Sequence, residues 1–198
     1  MGVGRSPTEG TEVAARYEEL DPGTLEVELA AMRRRHLRGV LRIEAQVYPR
    51  PWSLGLFMGE LALRGSRVYL VARVEHRVVG YAGLMLVAGD GHITTIAVDP
   101  DWHGLKIGTR LLLHLARRGI AQGAEQLTLE VRVTNVAAQS LYRAFGFVPA
   151  GIRKNYYAEI GEDALVMWAH DVQDEAYAQR LTALDAAIPG TTFIEARG

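Results

Sequence analysis

The stretch HITTIAVDPDWHGLKIGTRLLLHL, residues 92–115, passes from an apolar run into a helical pattern through a turn holding Gly104 and Gly108. No other feature constrains the fold as much, because a strand emptying into an amphipathic helix must lie in a sheet that the helix covers. Leu111, Leu112, Leu115 and Ile120 supply the apolar side of that helix. Upstream, VYLVARV and VVGYAGLMLVA flank EHR as a hairpin, and downstream QLTLEVRV and DALVMWA read as strands on either side of a helix, VAAQSLYRAFG, that Gly146 ends. Earlier still, Leu25, Val27 and Leu29 alternate as a short strand, and Leu37, Val40, Leu41, Ile43, Glu44 and Val47 mark a helix that stops before YPRPWS. Ser53 caps the next helix, through Leu54, Phe57, Met58 and Leu61. The pattern predicts an α/β fold, a mixed sheet flanked by helices rather than a barrel.

The chain has 198 residues and a formal net charge of −1, enough to bury one substantial core. Residues 1–23 lack periodicity and read as a flexible N-terminal extension, 24–171 as the domain, and 172–198 as a C-terminal extension. Tyr177, Leu181, Leu184 and Ile188 predict a short helix in that extension, packed on its own domain. There is no cysteine, which excludes disulfides and thiolate metal sites and points to a reducing, cytoplasmic setting. No two of the six histidines have the spacing H-x-H or H-x-x-x-H, so no metal is expected. No apolar run approaches the roughly 20 residues of a membrane span, and the match of Met1–Ser6 to a myristoylation pattern reads as coincidence. Arg33, Arg34, Arg35, Arg38 and Arg42 read as a solvated helix face, and the balanced charge gives no argument for nucleic acid or a membrane.

The turn can be read chemically. A helix entered through a glycine turn offers amides without internal partners and about half a positive charge, which together favour an anion. On the following strand Leu127, Leu129, Val131 and Val133 share one face while Thr128, Glu130 and Arg132 share the other. Taken alone, Glu130 reads as a solvent-facing strand carboxylate and Tyr142 as a core aromatic.

The spacing Asn135, Ala138, Leu141, Tyr142, Gly146, Phe147 resembles that of the GCN5-related N-acetyltransferases. Together with YPRPWS, ITTIAVDP, TLEVRVTNVAAQSLYRAFGF, IRKNYY and EDALVMW it is similar, in order and spacing, to the RimI-type ribosomal-protein N-terminal alanine acetyltransferases. The resemblance covers about Leu25 to Asp171. It implies a mostly antiparallel sheet whose central strands splay apart after a bulge, with acetyl-CoA in the opening and the amine arriving from the opposite side. It implies that Glu130 is the general base, Tyr142 the general acid and Asn135 a cofactor contact. Ile96, Ala97 and Val98 would pair with the pantetheine arm, and a strand amide, Val98 being the candidate, would stabilise the oxyanion. His103, Gly104, Leu105, Lys106, Ile107, Gly108 and Thr109 would hold the pyrophosphate, while Trp52, Tyr156 and Tyr157 would frame the peptide entrance.

The implied activity is acetyl transfer from acetyl-CoA to a protein N-terminus, with alanine of a small-subunit ribosomal protein as an acceptor, by a monomer or weak dimer. A small amine or lysine side chain as acceptor, or a non-catalytic acyl-CoA-binding module, stays open beside it. His103 and Lys106 depart from the family's turn, which has Gln or Arg at the first of these positions and glycine at the second. If the backbone at Lys106 has positive φ, the lysine costs on the order of 1 kcal/mol. If Gly104 absorbs the geometry instead, the ammonium adds a charge-assisted bond to the phosphates. Retained but altered CoA binding is the expectation.

Overall fold

The computed structural model describes residues 21–195. The expected N-terminal extension therefore lies outside the described residues except for 21–23, and the pattern at Met1–Ser6 lies outside them entirely. In chain order the elements are β1 (Glu26–Ala31), α1 (Leu37–Val47), α2 (Leu54–Ala62), β2 (Arg67–Val74), β3 (Arg77–Val87), β4 (Asp90–Val98), α3 (Ile107–Ala121) and β5 (Gln126–Arg132). Then come α4 (Val136–Ala144), β6 (Val148–Tyr157), β7 (Glu162–Ala169), α5 (Glu175–Ala186) and β8 (Thr191–Ile194). They form one eight-stranded sheet in the order β6-β7-β5-β4-β3-β2-β1-β8. Only β4/β5 and β1/β8 are parallel, so the mixed, mostly antiparallel sheet expected from the sequence is present.

Two apolar layers cover the sheet. On one side Leu111, Leu112 and Leu115 of α3 pack with Leu127, Leu129 and Val131 of β5. On the other, Leu37, Val40 and Ile43 of α1 pack with Phe57, Tyr69 and Tyr81. Ser53 caps α2 as expected, its hydroxyl accepting the Leu56 N–H at 3.2 Å.

Three features differ from the sequence reading. Residues 148–157 form an edge strand, β6, paired only with β7 and broken by register shifts between Pro149 and Gly151 and between Arg153 and Tyr157. An edge strand with a proline, a glycine and a positive φ at Asn155 has no alternation to betray it. The C-terminal extension adds a strand as well as its helix: β8 pairs in parallel with β1, while Tyr177 and Leu181 of α5 are buried in the α3 core. Finally, the arginine run is not wholly solvated, because Arg42 Nη1 donates to buried Asp99 at 2.6 Å.

The sheet parts in its middle. β4 and β5 pair only from Asp90↔Gln126 to Ile93↔Leu129. Beyond that point β4 stays with β3, through a bulge that sets Gly83 opposite Thr95 and Leu84 opposite Ile93, while β5 stays with β7 as far as Arg132. The extra residue, Thr94, bends β4 away from β5 and leaves a wedge between them.

Candidate active site

The wedge opens into a cleft of about 1290 Å³, lined by both walls of the gap, the start of α3, one side of α4 and the loop before α2. Ligand pockets run to roughly 300–1,000 Å³, so the space exceeds what a single drug-sized ligand needs. It brings together every expected site residue except Leu105, which packs instead against the α3 core.

Glu130 stands on the β5 face away from α3, its side chain only 7% exposed. Its Oε1 is 3.0 Å from Nη1 of Arg153 on β6, and its Oε2 is 3.2 Å from Nε2 of His92 on β4. His92 pairs in register with Thr128, two residues before Glu130, which places imidazole and carboxylate as diagonal neighbours on one face. Arg153 in turn lies over the Tyr156 ring, 5.6 Å from its centroid. The sequence reading missed His92 and Arg153 because each meets Glu130 only through strand pairing; Arg153 lay inside the quoted IRKNYY.

Tyr142 enters the cleft from α4, on the α3 side of the sheet. Burial, with Tyr48 and Tyr157 nearby, pushes its phenol well above the usual range, so it stays protonated. Asn135 caps α4, its Oδ1 accepting the Ala138 N–H at 3.1 Å, which leaves its Nδ2 as the group that could donate to a ligand.

The backbone of β4 alternates. Asp99 donates its N–H to Val79 O at 2.9 Å. In an antiparallel pair, bonded and non-bonded residues alternate, so Val98 and Ile96 turn their amides and carbonyls away from β3 into the gap, whereas Ala97 turns its own toward β3. Two acceptors there are already met: Tyr48 Oη donates to Ile96 O at 3.0 Å, and His103 Nε2 lies 3.3 Å from Val98 O. The N–H groups of Ile96 and Val98 are the ones directed at whatever occupies the gap.

At the turn, Gly104 and Lys106 both have positive φ, +83° and +60°. Lys106 is the residue before α3 and gives its first amides no side-chain acceptor. Those bare amides, the helix dipole and an exposed ammonium converge on one end of the cleft. This donor set fits a pyrophosphate.

The other end carries aromatic rings. Trp52 packs on Phe57 with centroids 5.3 Å apart and also lines the cleft, and its backbone N–H donates to Glu44 Oε2 at 2.8 Å. Tyr81 Oη donates to the other oxygen of Glu44. Burial raises the Glu44 carboxyl above its usual range, against the pull of those two bonds. Tyr156 and Tyr157 meet edge to face at 5.2 Å, and burial pushes the Tyr157 phenol up to about 12.

Comparison with known proteins agrees with this geometry. The family model described as acetyltransferase (GNAT) matches residues 37–147. A Bacillus subtilis (strain 168) protein is 41% identical over 137 residues, 69% of this chain and 91% of its own. The [ribosomal protein bS18]-alanine N-acetyltransferase of Salmonella typhimurium is 38% identical over 128 residues, 64% of this chain and 85% of its own. Among solved structures, the ribosomal-protein-S18-alanine N-acetyltransferase from Escherichia coli superposes with a TM-score of 0.67 at 30% identity, over 73% of this chain and 94% of that one. With its parted sheet and uncapped helix start opening into one cleft, this chain belongs to the GNAT family of acetyl-CoA-dependent N-acetyltransferases.

Proposed function

We propose that the protein moves the acetyl group of acetyl-CoA to the N-terminal α-amino group of a protein, with alanine of a small-subunit ribosomal protein as its acceptor. The observation that carries this reading is the gap between β4 and β5, with Glu130 on one face and Tyr142 on the other. The names of the bS18-alanine N-acetyltransferase relatives support the choice of acceptor. Such an acceptor is made in the cytoplasm, and the reading places the enzyme there.

Each residue then has a task. An amine attacks a thioester only when unprotonated, and Glu130, held between Arg153 and His92, takes the proton from the incoming ammonium. An α-amino group, with a pKa of about 8, gives up that proton far more readily than a lysine at about 10.4. As the C–N bond forms, the Val98 N–H stabilises the oxyanion, and as the C–S bond breaks, Tyr142 donates its proton to the departing sulfur. Burial raises the phenol, and the same dry surroundings penalise a thiolate, so the transfer remains favourable. The bare amides before and within the first turn of α3, with Lys106, bind the phosphates. Tyr156, Tyr157 and Trp52 line the acceptor's approach.

The test is thiol release from acetyl-CoA with short peptides that differ at their first residue, beside free lysine and polyamines. Turnover concentrated on alanine-starting peptides is expected. Turnover with free amines alone would overturn the acceptor assignment, and CoA binding without turnover on any acceptor would overturn the enzyme.

A further inference from the structure

The C-terminal extension lies outside residues 37–147, the span of the family match, yet it reaches the cleft. Leu184, Ala187 and Ile188, at the end of α5, line the cleft together with Gly108 and Thr109 at the start of α3 and Leu141 of α4. These three elements meet at one place. A Cβ on Gly108 would stand 3.6 Å from the Leu141 side chain, and Leu184, Ile188 and Leu141 all pack against the α3 core.

The extension is also fixed in position. Arg117 of α3 pairs with Asp185 at 2.8 Å, and Arg180 donates to the Ala144 carbonyl at the end of α4 at 3.3 Å. Buried Arg110 of α3 donates to Pro189 O and to Thr192 Oγ1, and β8 completes the sheet edge beside β1. An apolar wall thus stands next to the amides and ammonium that suit phosphates. A ligand satisfying both is an apolar ring system joined to phosphates.

We propose that the end of α5 is a nucleotide subsite, in which Leu184, Ala187 and Ile188 pack against the adenosine portion of CoA while the start of α3 holds its phosphates. The inference rests on the acetyl-CoA reading above and adds to it a wall that the family match does not include. The pantetheine arm, lying in the β4–β5 gap, touches none of these three residues.

Calorimetric titration of the full chain with CoA, pantetheine and adenosine 3′,5′-bisphosphate tests it, using Ala187→Glu and Ile188→Ala. Ala187 is exposed, so its substitution removes no core packing and sets a carboxylate against the phosphates; it carries the test if Ile188→Ala unfolds in a thermal melt. The CoA dissociation constant should rise at least fivefold in each folded variant. The bisphosphate should displace CoA from the unsubstituted protein and do so at least fivefold less well from Ala187→Glu. Pantetheine binding should change less than twofold. If the unsubstituted protein binds CoA and Ala187→Glu binds it within twofold as tightly, the subsite is wrong and the acetyl-CoA reading stands; equal weakening of CoA and pantetheine overturns the subsite in the same way. If the unsubstituted protein binds no CoA, the acetyl-CoA reading falls first.

Discussion

At the residue scale, the gap places different demands on Glu130 and Lys106. If Glu130 collects the ammonium proton, Glu130→Gln should lower turnover most at low pH, where a free α-amino group is almost wholly protonated, and least above about pH 8. A pH–rate profile of unchanged shape would remove Glu130 from that role. Lys106 holds a left-handed backbone, a conformation that costs a residue with a Cβ about 1 kcal/mol. Lys106→Gly should therefore match or exceed the original in urea denaturation, by up to about 1 kcal/mol, while the acetyl-CoA KM rises several-fold through loss of the ammonium. The roles of Glu130, Tyr142 and Asn135 were legible only through the family resemblance, whose spacing runs locally along one strand and one helix; taken alone, Glu130 read as a solvent-facing carboxylate and Tyr142 as a core aromatic. The sequence could not show that Gly104 and Lys106 both take positive φ, leaving the strain on Lys106 alone, since one chain carries no record of φ. Nor could it show His92 and Arg153 on the Glu130 carboxylate, contacts that strand register alone creates.

At the element scale, the site depends on a single extra residue in β4. The bulge at Thr94 faces Gly83, where a Cβ would overlap the buried Tyr69 ring. Gly83→Ala should cost about 1–3 kcal/mol of stability, in the range of overpacked cores, and acetyl transfer should fall with it as the strands lose their parting; chemical denaturation and a turnover assay check the two halves. Hairpin, strand, turn and helix from Val68 to Ile120 were legible because apolar runs and glycine turns are written there in order. The edge strands β6 and β8 were not, since a strand paired on one side or only four residues long need not alternate. The bulge was legible only through family resemblance, because Thr94 and Thr95 look alike in sequence and only one of them is extra.

At the scale of the whole molecule, the fold closes around its N- and C-terminal elements. His36, between β1 and α1, is buried, and burial together with Arg35 and Arg73 lowers its pKa to about 4. Unfolded, it would titrate near 6.5. Between those values the unfolded chain binds the proton that the folded chain refuses, so stability is complete above about pH 6.5 and declines as pH falls toward 4. Urea midpoints across that interval should show the decline, and His36→Gln should flatten it. The two sides of the cleft mouth are also tied, by Arg50 before α2 and Glu159 after β6, 2.9 Å apart. On the acetyl-transfer reading proposed above, an acceptor passes this tie at the mouth, and a side chain borne mid-chain, with backbone leading away both ways, brings more chain across it than a free end does. With side chains 83% and 45% exposed, such a tie is screened by solvent and is weak. So weak a tie cannot by itself select free ends, and any preference for termini over lysines has to arise deeper, from how readily each amine surrenders its proton.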